Sequence, residues 1–236
     1  MESIKKNIDE SKEIKNIHKY IIYFSLLDVL GKYAFPDKKH NERYKNLIQC
    51  FSCWKYKKYI SSLQLECKLG QIDKNLAIAI RKKINKNPLT HDHFFNKIVD
   101  ADEVDFTEDK LKEDLTNSQI EIYDKNISII HQARYDNLFY RLRCFVVHEH
   151  RLPTPNALDL DENSEVPIYF CYSKILNEGK EAEKIKLGTP EYRLWFSPKI
   201  ISMILDECIE KIKLLNNLSY ENAFKPVPKY WVDKQI

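Results

Sequence analysis

The sequence is short of glycine, of long apolar runs, and of arginine outside one segment. Only 4 glycines occur in 236 residues. So few cannot serve a turn-rich all-β fold or a glycine-rich phosphate loop, since both need backbone without a Cβ. Helices dispense with glycine most easily, so its scarcity leans the composition towards helix. The best apolar run, Tyr20 to Leu30, is about half the length a membrane-spanning helix requires, and it contains Asp28. The leading residues, Met-Glu-Ser-Ile-Lys-Lys, lack the apolar block of a signal peptide. These absences lead to the expectation of a cytoplasmic protein with no membrane partner. Its six cysteines (50, 53, 67, 144, 171, 208) then read as reduced thiols, most of them small core residues among apolar neighbours. No cofactor and no metal are expected.

Apolar residues make up 43% and aromatics 12%, too hydrophobic for a disordered chain. The net charge of +3 neither demands nucleic acid nor excludes it, because local patches outweigh the sum. Positive charge is mostly lysine. Of the 7 arginines, Arg134, Arg141, Arg143 and Arg151 fall within residues 134 to 151. In a lysine-writing chain this clustering suggests a need for the planar guanidinium fork, which grips phosphate or carboxylate with two bonds. A solvent-facing helix would give the same run.

Helical periodicity runs through Ser11 to about Phe35 (Ile14, Ile17, Ile21, Phe24, Leu27 or Asp28), with Ser11 as N-cap and Gly31 and Pro36 marking the end. A second helix spans Asn41 to Trp54, with Tyr44, Leu47, Ile48, Phe51 and Trp54 on one face. Residues 60–69 read as a helical turn or two. Asp73 caps a helix that ends before Pro88. Residues 100 to 114 hold 8 acids against 2 lysines, so about 100–116 reads as a surface loop, an exposed helix or a mobile insertion. Helix returns from about Ile120 to Arg151 and is stopped by Pro153 and Pro155. Val166–Tyr172 and Tyr192–Phe196 are β-branched and aromatic, and read as an antiparallel ribbon over about 166–196. Ser197-Pro198 then starts a last helix. The expected architecture is one mainly α domain over residues 1–236, with a small C-terminal β-ribbon.

Chemistry concentrates in Arg141-Leu-Arg143-Cys144-Phe-Val-Val-His148-Glu149-His150-Arg151. On an ideal helix Arg143 and His148 are about 140° apart, whereas Arg141 and His148 are about 20° apart. A strict face argument favours the second pair, while the length of arginine keeps the first open. Elsewhere, Cys50-Phe-Ser-Cys53 has metal spacing but no second pair follows it, and His91 and His93 could complete a ligand set only by tertiary accident. A Cys144–His148 nucleophile pair lacks any identifiable oxyanion site. Basic runs at Lys55–Lys58 and Arg81–Lys83 could track a phosphate backbone or simply be solvated helix ends.

The segment resembles the motif of the HEPN superfamily, helical bundles marked by an arginine followed four to six residues later by histidine near the end of a long helix. Arg143-Cys-Phe-Val-Val-His148 is the closest match, and Arg141 to His148 a looser one. The resemblance covers about residues 11–151 and 197–216, and includes the first helix with Asp28. It implies a HEPN-like bundle, metal-independent RNA cleavage at a homodimer interface, and a role as a toxin or phage-defence effector with an antitoxin or regulatory protein as partner. It also implies roles. His148 exchanges protons, as histidine can near neutral pH; Arg143 holds phosphate oxygens; Glu149 or Asp28 orients His148; Arg141 and Arg151 support RNA contact. The departure is Cys144, where active members carry a polar residue. That departure favours the alternative, a non-catalytic helical module binding RNA or a protein partner. A structural arginine paired to a carboxylate, beside a surface histidine, would give the same short pattern.

Overall fold

The computed structural model describes residues 16–84, 98–150, 162–172, 175–176, 186–187 and 191–214. In chain order the elements are α1 (Asn16–Ala34), α2 (His40–Phe51), β1 (Tyr59–Ile60), α3 (Ser62–Glu66), α4 (Lys74–Ile84), β2 (Ile98–Asp100), β3 (Phe106–Thr107), α5 (Glu108–Lys112), α6 (Asn117–Lys125), α7 (Ile127–Ile130), α8 (Tyr135–Glu149), β4 (Ile168–Tyr172), β5 (Ile175–Leu176), β6 (Lys186–Leu187), β7 (Glu191–Trp195) and α9 (Pro198–Lys213). The described chain is mainly helical, with small antiparallel sheets. Among the described residues, no helix is long and apolar enough to cross a membrane. Contacts divide the chain into two compact units: residues 1–55, 140–159 and 201–236, and residues 56–139 and 160–200.

The first unit is helical. Tyr20, Phe24, Leu27 and Leu30 of α1 are buried, a stripe at spacings of three and four. Its centre differs from the expected one: Tyr20 and Tyr23 are buried, whereas Ile17 and Ile21 are only half-buried. The expected N-cap Ser11 lies outside the described residues. α1 stops at Ala34, ahead of Pro36. Its last turn is closed by Phe35 N–H on Gly31 O at 3.0 Å. Arg43 then donates to the carbonyls of Phe35 (3.1 Å) and Pro36 (2.6 Å), so one guanidinium pins the turn into α2. α2 buries Tyr44, Leu47 and Ile48 as its periodicity predicts, but it ends at Phe51 rather than at Trp54.

The second unit pairs helices with β structure. β4 lies between β2 and β7 in a three-stranded antiparallel sheet, with Val99 opposite Tyr169 and Ile168 opposite Trp195. The expected ribbon is thus present and carries a third strand, which ends where the acidic segment begins. Ile168, Tyr169 and Phe170 are buried in succession, which marks a central strand covered on both faces. β1 pairs with β3, bringing Ile60 opposite Phe106. Around it Leu65, Leu69, Leu76, Ile80, Leu111 and Ile130 form a core. Asp73 caps α4 as expected, accepting from the backbone of Asn75 (2.9 Å) and Leu76 (3.1 Å).

The acid-rich stretch is not a plain surface loop. It supplies the last residue of β2, all of β3 and α5, and it buries Ala101, Val104, Asp105, Phe106 and Leu111. Interleaved apolar residues draw it inward despite its charge. The cysteines also depart from expectation. Cys50, Cys53 and Cys67 are exposed, Cys144 is half-buried and Cys208 is buried; none of these five is in a disulfide.

Candidate functional site

Helix α8 runs to Glu149, four residues short of Pro153. His150 follows with φ 50°, the left-handed conformation that closes many helix ends, though glycine usually takes it. The last turn therefore ends in a sharp change of direction, with His148 and Glu149 exposed. One turn back, Arg143 is buried, its side chain only 6% exposed.

Arg143 makes the central contacts. Its Nε donates to Asp28 Oδ2 at 2.9 Å, and its Nη2 pairs with the same oxygen. Its Nη1 lies 2.6 Å from His148 Nε2. Burial works against the charge of Arg143, but the hydrogen bonds and ion pair with Asp28 outweigh it and raise its pKa further. A guanidinium has only donors, so His148 accepts at Nε2 in this arrangement and carries its hydrogen on Nδ1. Asp28 therefore holds Arg143 and reaches His148 only through it. The face argument that favoured Arg141 fails on distance along the helix. Seven residues separate Arg141 and His148 by about 10 Å of rise, against about 7.5 Å for Arg143, a span that an arginine side chain can cover. Arg141 is exposed, as is Glu149. Arg151 lies outside the described residues.

Three neighbours complete the group. His40, the first residue of α2, places Nε2 3.2 Å from Asp28 Oδ1. Its Nδ1 is 3.3 Å from the Tyr140 hydroxyl. Tyr140 stacks at a tilt against both His40 and Tyr44, with ring centroids 6.0 and 5.5 Å apart. The Cys144 thiol interacts with Tyr140 and Arg143. Burial first, and the Cys144 thiol next, raise the Tyr140 pKa, and burial with nearby Asp28 raises that of Tyr44. Both phenols thus stay protonated at neutral pH. Sequence reasoning found Arg143, His148, Asp28 and Cys144, but missed His40 and Tyr140. Tyr140 lies one turn before Cys144 on α8, a spacing that places it on the same face. His40 comes from a different helix and carries no local signal.

No family model, curated protein or solved structure matches this chain. The site must therefore be read from its own chemistry. It has a fixed cation, an exposed imidazole that accepts from it, and a carboxylate that neutralises part of the charge. Among the described residues no three His, Cys, Asp or Glu side chains converge as a metal site. Cys50 and Cys53 are exposed, and His91 and His93 lie outside the described residues. Cys144 contacts Tyr140 and Arg143, and it is Arg143 that holds His148 Nε2.

Three of the other basic candidates, Arg134, Arg81 and Lys83, are occupied by structural contacts. Arg134 grips the fully buried Asp136 with Nε at 2.8 Å and Nη2 at 2.7 Å, so this member of the arginine cluster serves the fold. Arg81 pairs with Glu66 at 2.9 Å and Lys83 with Asp114 at 2.8 Å. In the second unit lies a polar cluster that the sequence did not signal. Asp105 accepts from Tyr135 Oη (2.5 Å) and Tyr169 Oη (2.7 Å) on Oδ2, and from Ser62 N and Oγ (both 2.8 Å) on Oδ1. Burial nevertheless outweighs the four donors and pushes its carboxyl up to about 6. Its carboxyl is ringed by the buried Ser62, Tyr135 and Tyr169, so we read it as a structural centre.

Proposed function

We infer that this chain is a metal-independent endoribonuclease of HEPN type, working as a homodimer in a toxin or phage-defence role. The observation that carries the reading is the 2.6 Å contact between Arg143 Nη1 and His148 Nε2, with the guanidinium anchored on Asp28. The contact joins the two residues of the motif across a spacing that an ideal helix would splay apart. RNA brings its own nucleophile, the 2′-hydroxyl. The protein needs only a proton acceptor, a proton donor and a positive group beside the phosphate. His148 is exposed, and its accepting nitrogen is the one required of a base. Arg143 holds that nitrogen in the resting state, and a phosphate oxygen entering the site competes for the same N–H groups and frees it.

A second reading is a non-catalytic module that binds RNA or a protein partner through the same surface. Two observations favour it: Asp28 already neutralises Arg143, and Cys144 takes the place of the usual polar residue. The test is cleavage by the purified chain. His148→Ala is expected to abolish cutting while RNA binding stays close to wild type, because a neutral imidazole adds little to backbone affinity. Arg143→Ala is expected to reduce both. A chain that binds RNA and cuts none of a broad panel across neutral pH would establish the binding module instead.

A further inference from the structure

We propose that His40 is the second proton carrier of this site: it protonates the departing 5′ oxygen while His148 takes the proton of the 2′-hydroxyl. The assignment rests on the ribonuclease reading above and goes beyond its Arg–His pair. It begins with how Asp28 is shared. Arg143 uses Oδ2 alone, whereas His40 Nε2 sits 3.2 Å from Oδ1. Oδ1 has no hydrogen-bond partner among the described residues. A carboxylate oxygen this close favours hydrogen over a lone pair on His40 Nε2. The opposite holds at His148, where a guanidinium that can only donate requires a lone pair. Two imidazoles, from α2 and α8, thus flank one ion pair, His40 with Nε2 beside the carboxylate and His148 with Nε2 accepting from the guanidinium. Transesterification of RNA needs one base and one acid.

The rest of the geometry fits an acid. The His40 side chain is 46% exposed, so substrate can reach it. Asp28 anchors one ring nitrogen and leaves Nδ1 to deliver a proton. Nδ1 now faces the Tyr140 hydroxyl at 3.3 Å, a long contact that a substrate oxygen can replace. In the reaction His148 Nε2 takes the 2′-hydroxyl proton as the 2′ oxygen bonds to phosphorus. The bond from phosphorus to the 5′ oxygen breaks, its electron pair stays on that oxygen, and the Nδ1 proton of the His40 imidazolium is transferred to it. The products are a 2′,3′-cyclic phosphate and a 5′-hydroxyl end. His148 leaves protonated and His40 neutral, and exchange with water resets both. Both carriers belong to one chain, so the proposal places acid and base in the same copy.

The test uses the full-length chain, His40→Ala and His148→Ala, and two substrates: a short RNA, and the same RNA with sulfur in place of the scissile 5′ oxygen. A thiolate leaves without being protonated. His40→Ala is expected to cut the ordinary RNA about 10²- to 10⁴-fold more slowly, yet to cut the sulfur RNA within about threefold of wild type. His148→Ala is expected to be slow on both. Mixing the two variants should restore nothing. His40→Ala that cuts ordinary RNA at the wild-type rate, that stays slow on the sulfur RNA, or that regains activity on mixing with His148→Ala overturns the assignment and leaves the ribonuclease reading standing. Wild-type chain that cuts neither RNA overturns both.

Discussion

Asp28 and Arg143 meet across the first unit, from α1 to α8, through two guanidinium nitrogens on one carboxylate oxygen. The arginine side chain is 6% exposed and the aspartate 18%. Breaking such a pair strands a cation with little water around it. Asp28→Ala is therefore expected to cost roughly 2–3 kcal/mol, just under the range for a fully buried pair because Asp28 keeps some water. Arg143→Met in the same background should recover part of that loss. Urea unfolding of the two single variants and the double variant gives the coupling; additive losses would mean the pair contributes nothing.

Asp105 sets a pH dependence of unusual sign. Its carboxyl titrates near 6 in the fold against 3.8 for a free one, because burial disfavours the charge. A raised acid contributes its stability in full below the unfolded pKa and loses it as pH rises through the folded one. Between pH 4 and 6 the native state should thus lose about 2 kcal/mol relative to Asp105→Asn, which cannot ionise. Tyr135 and Tyr169, raised well above their ordinary range mainly by burial, remain donors throughout. Urea midpoints for both proteins at pH 4, 5, 6 and 7 check this. A wild type that gains on the variant with rising pH would show that the four donors outweigh burial.

The two arginines of the looser and closer motifs should separate cleanly. Arg141 is exposed, while Arg143 holds His148. Arg143→Ala is expected to lower cleavage by about 10²-fold or more, since it removes both the positive group and the contact that sets the imidazole. Arg141→Ala should leave the rate near wild type. Initial rates on one RNA at saturating concentration decide the matter, and loss of activity with Arg141→Ala alone would reverse the choice of arginine.

Much of this was legible in the sequence wherever the signal was local. Asp73 and Ser197 read as caps and act as caps, with Ile200 N donating to Ser197 Oγ at 3.1 Å. The paired strands showed in their β-branched and aromatic composition. What escaped was set by tertiary contact. The acid run read as solvent because charge dominates its composition, yet Val104, Phe106 and Leu111 carry it into a core. The residues that receive Asp105 come from α3, α8 and β4, far apart in sequence. Helical angles alone pointed to Arg141, because they ignore rise along the axis and the reach of an arginine. His40 could not be found at all, since its link to Asp28 is an approach of two helices.

The central claim is that Arg143 and His148 cut RNA using the 2′-hydroxyl. The most direct measurement is the end chemistry of RNA incubated with the purified chain and EDTA, beside the same RNA carrying a 2′-O-methyl group at the cut position. A 2′,3′-cyclic phosphate on the upstream fragment, a 5′-hydroxyl on the downstream one, no loss of rate with EDTA, and no cut at the methylated position are the predicted result. A 5′-phosphate product, or unimpeded cutting at the methylated position, would contradict it.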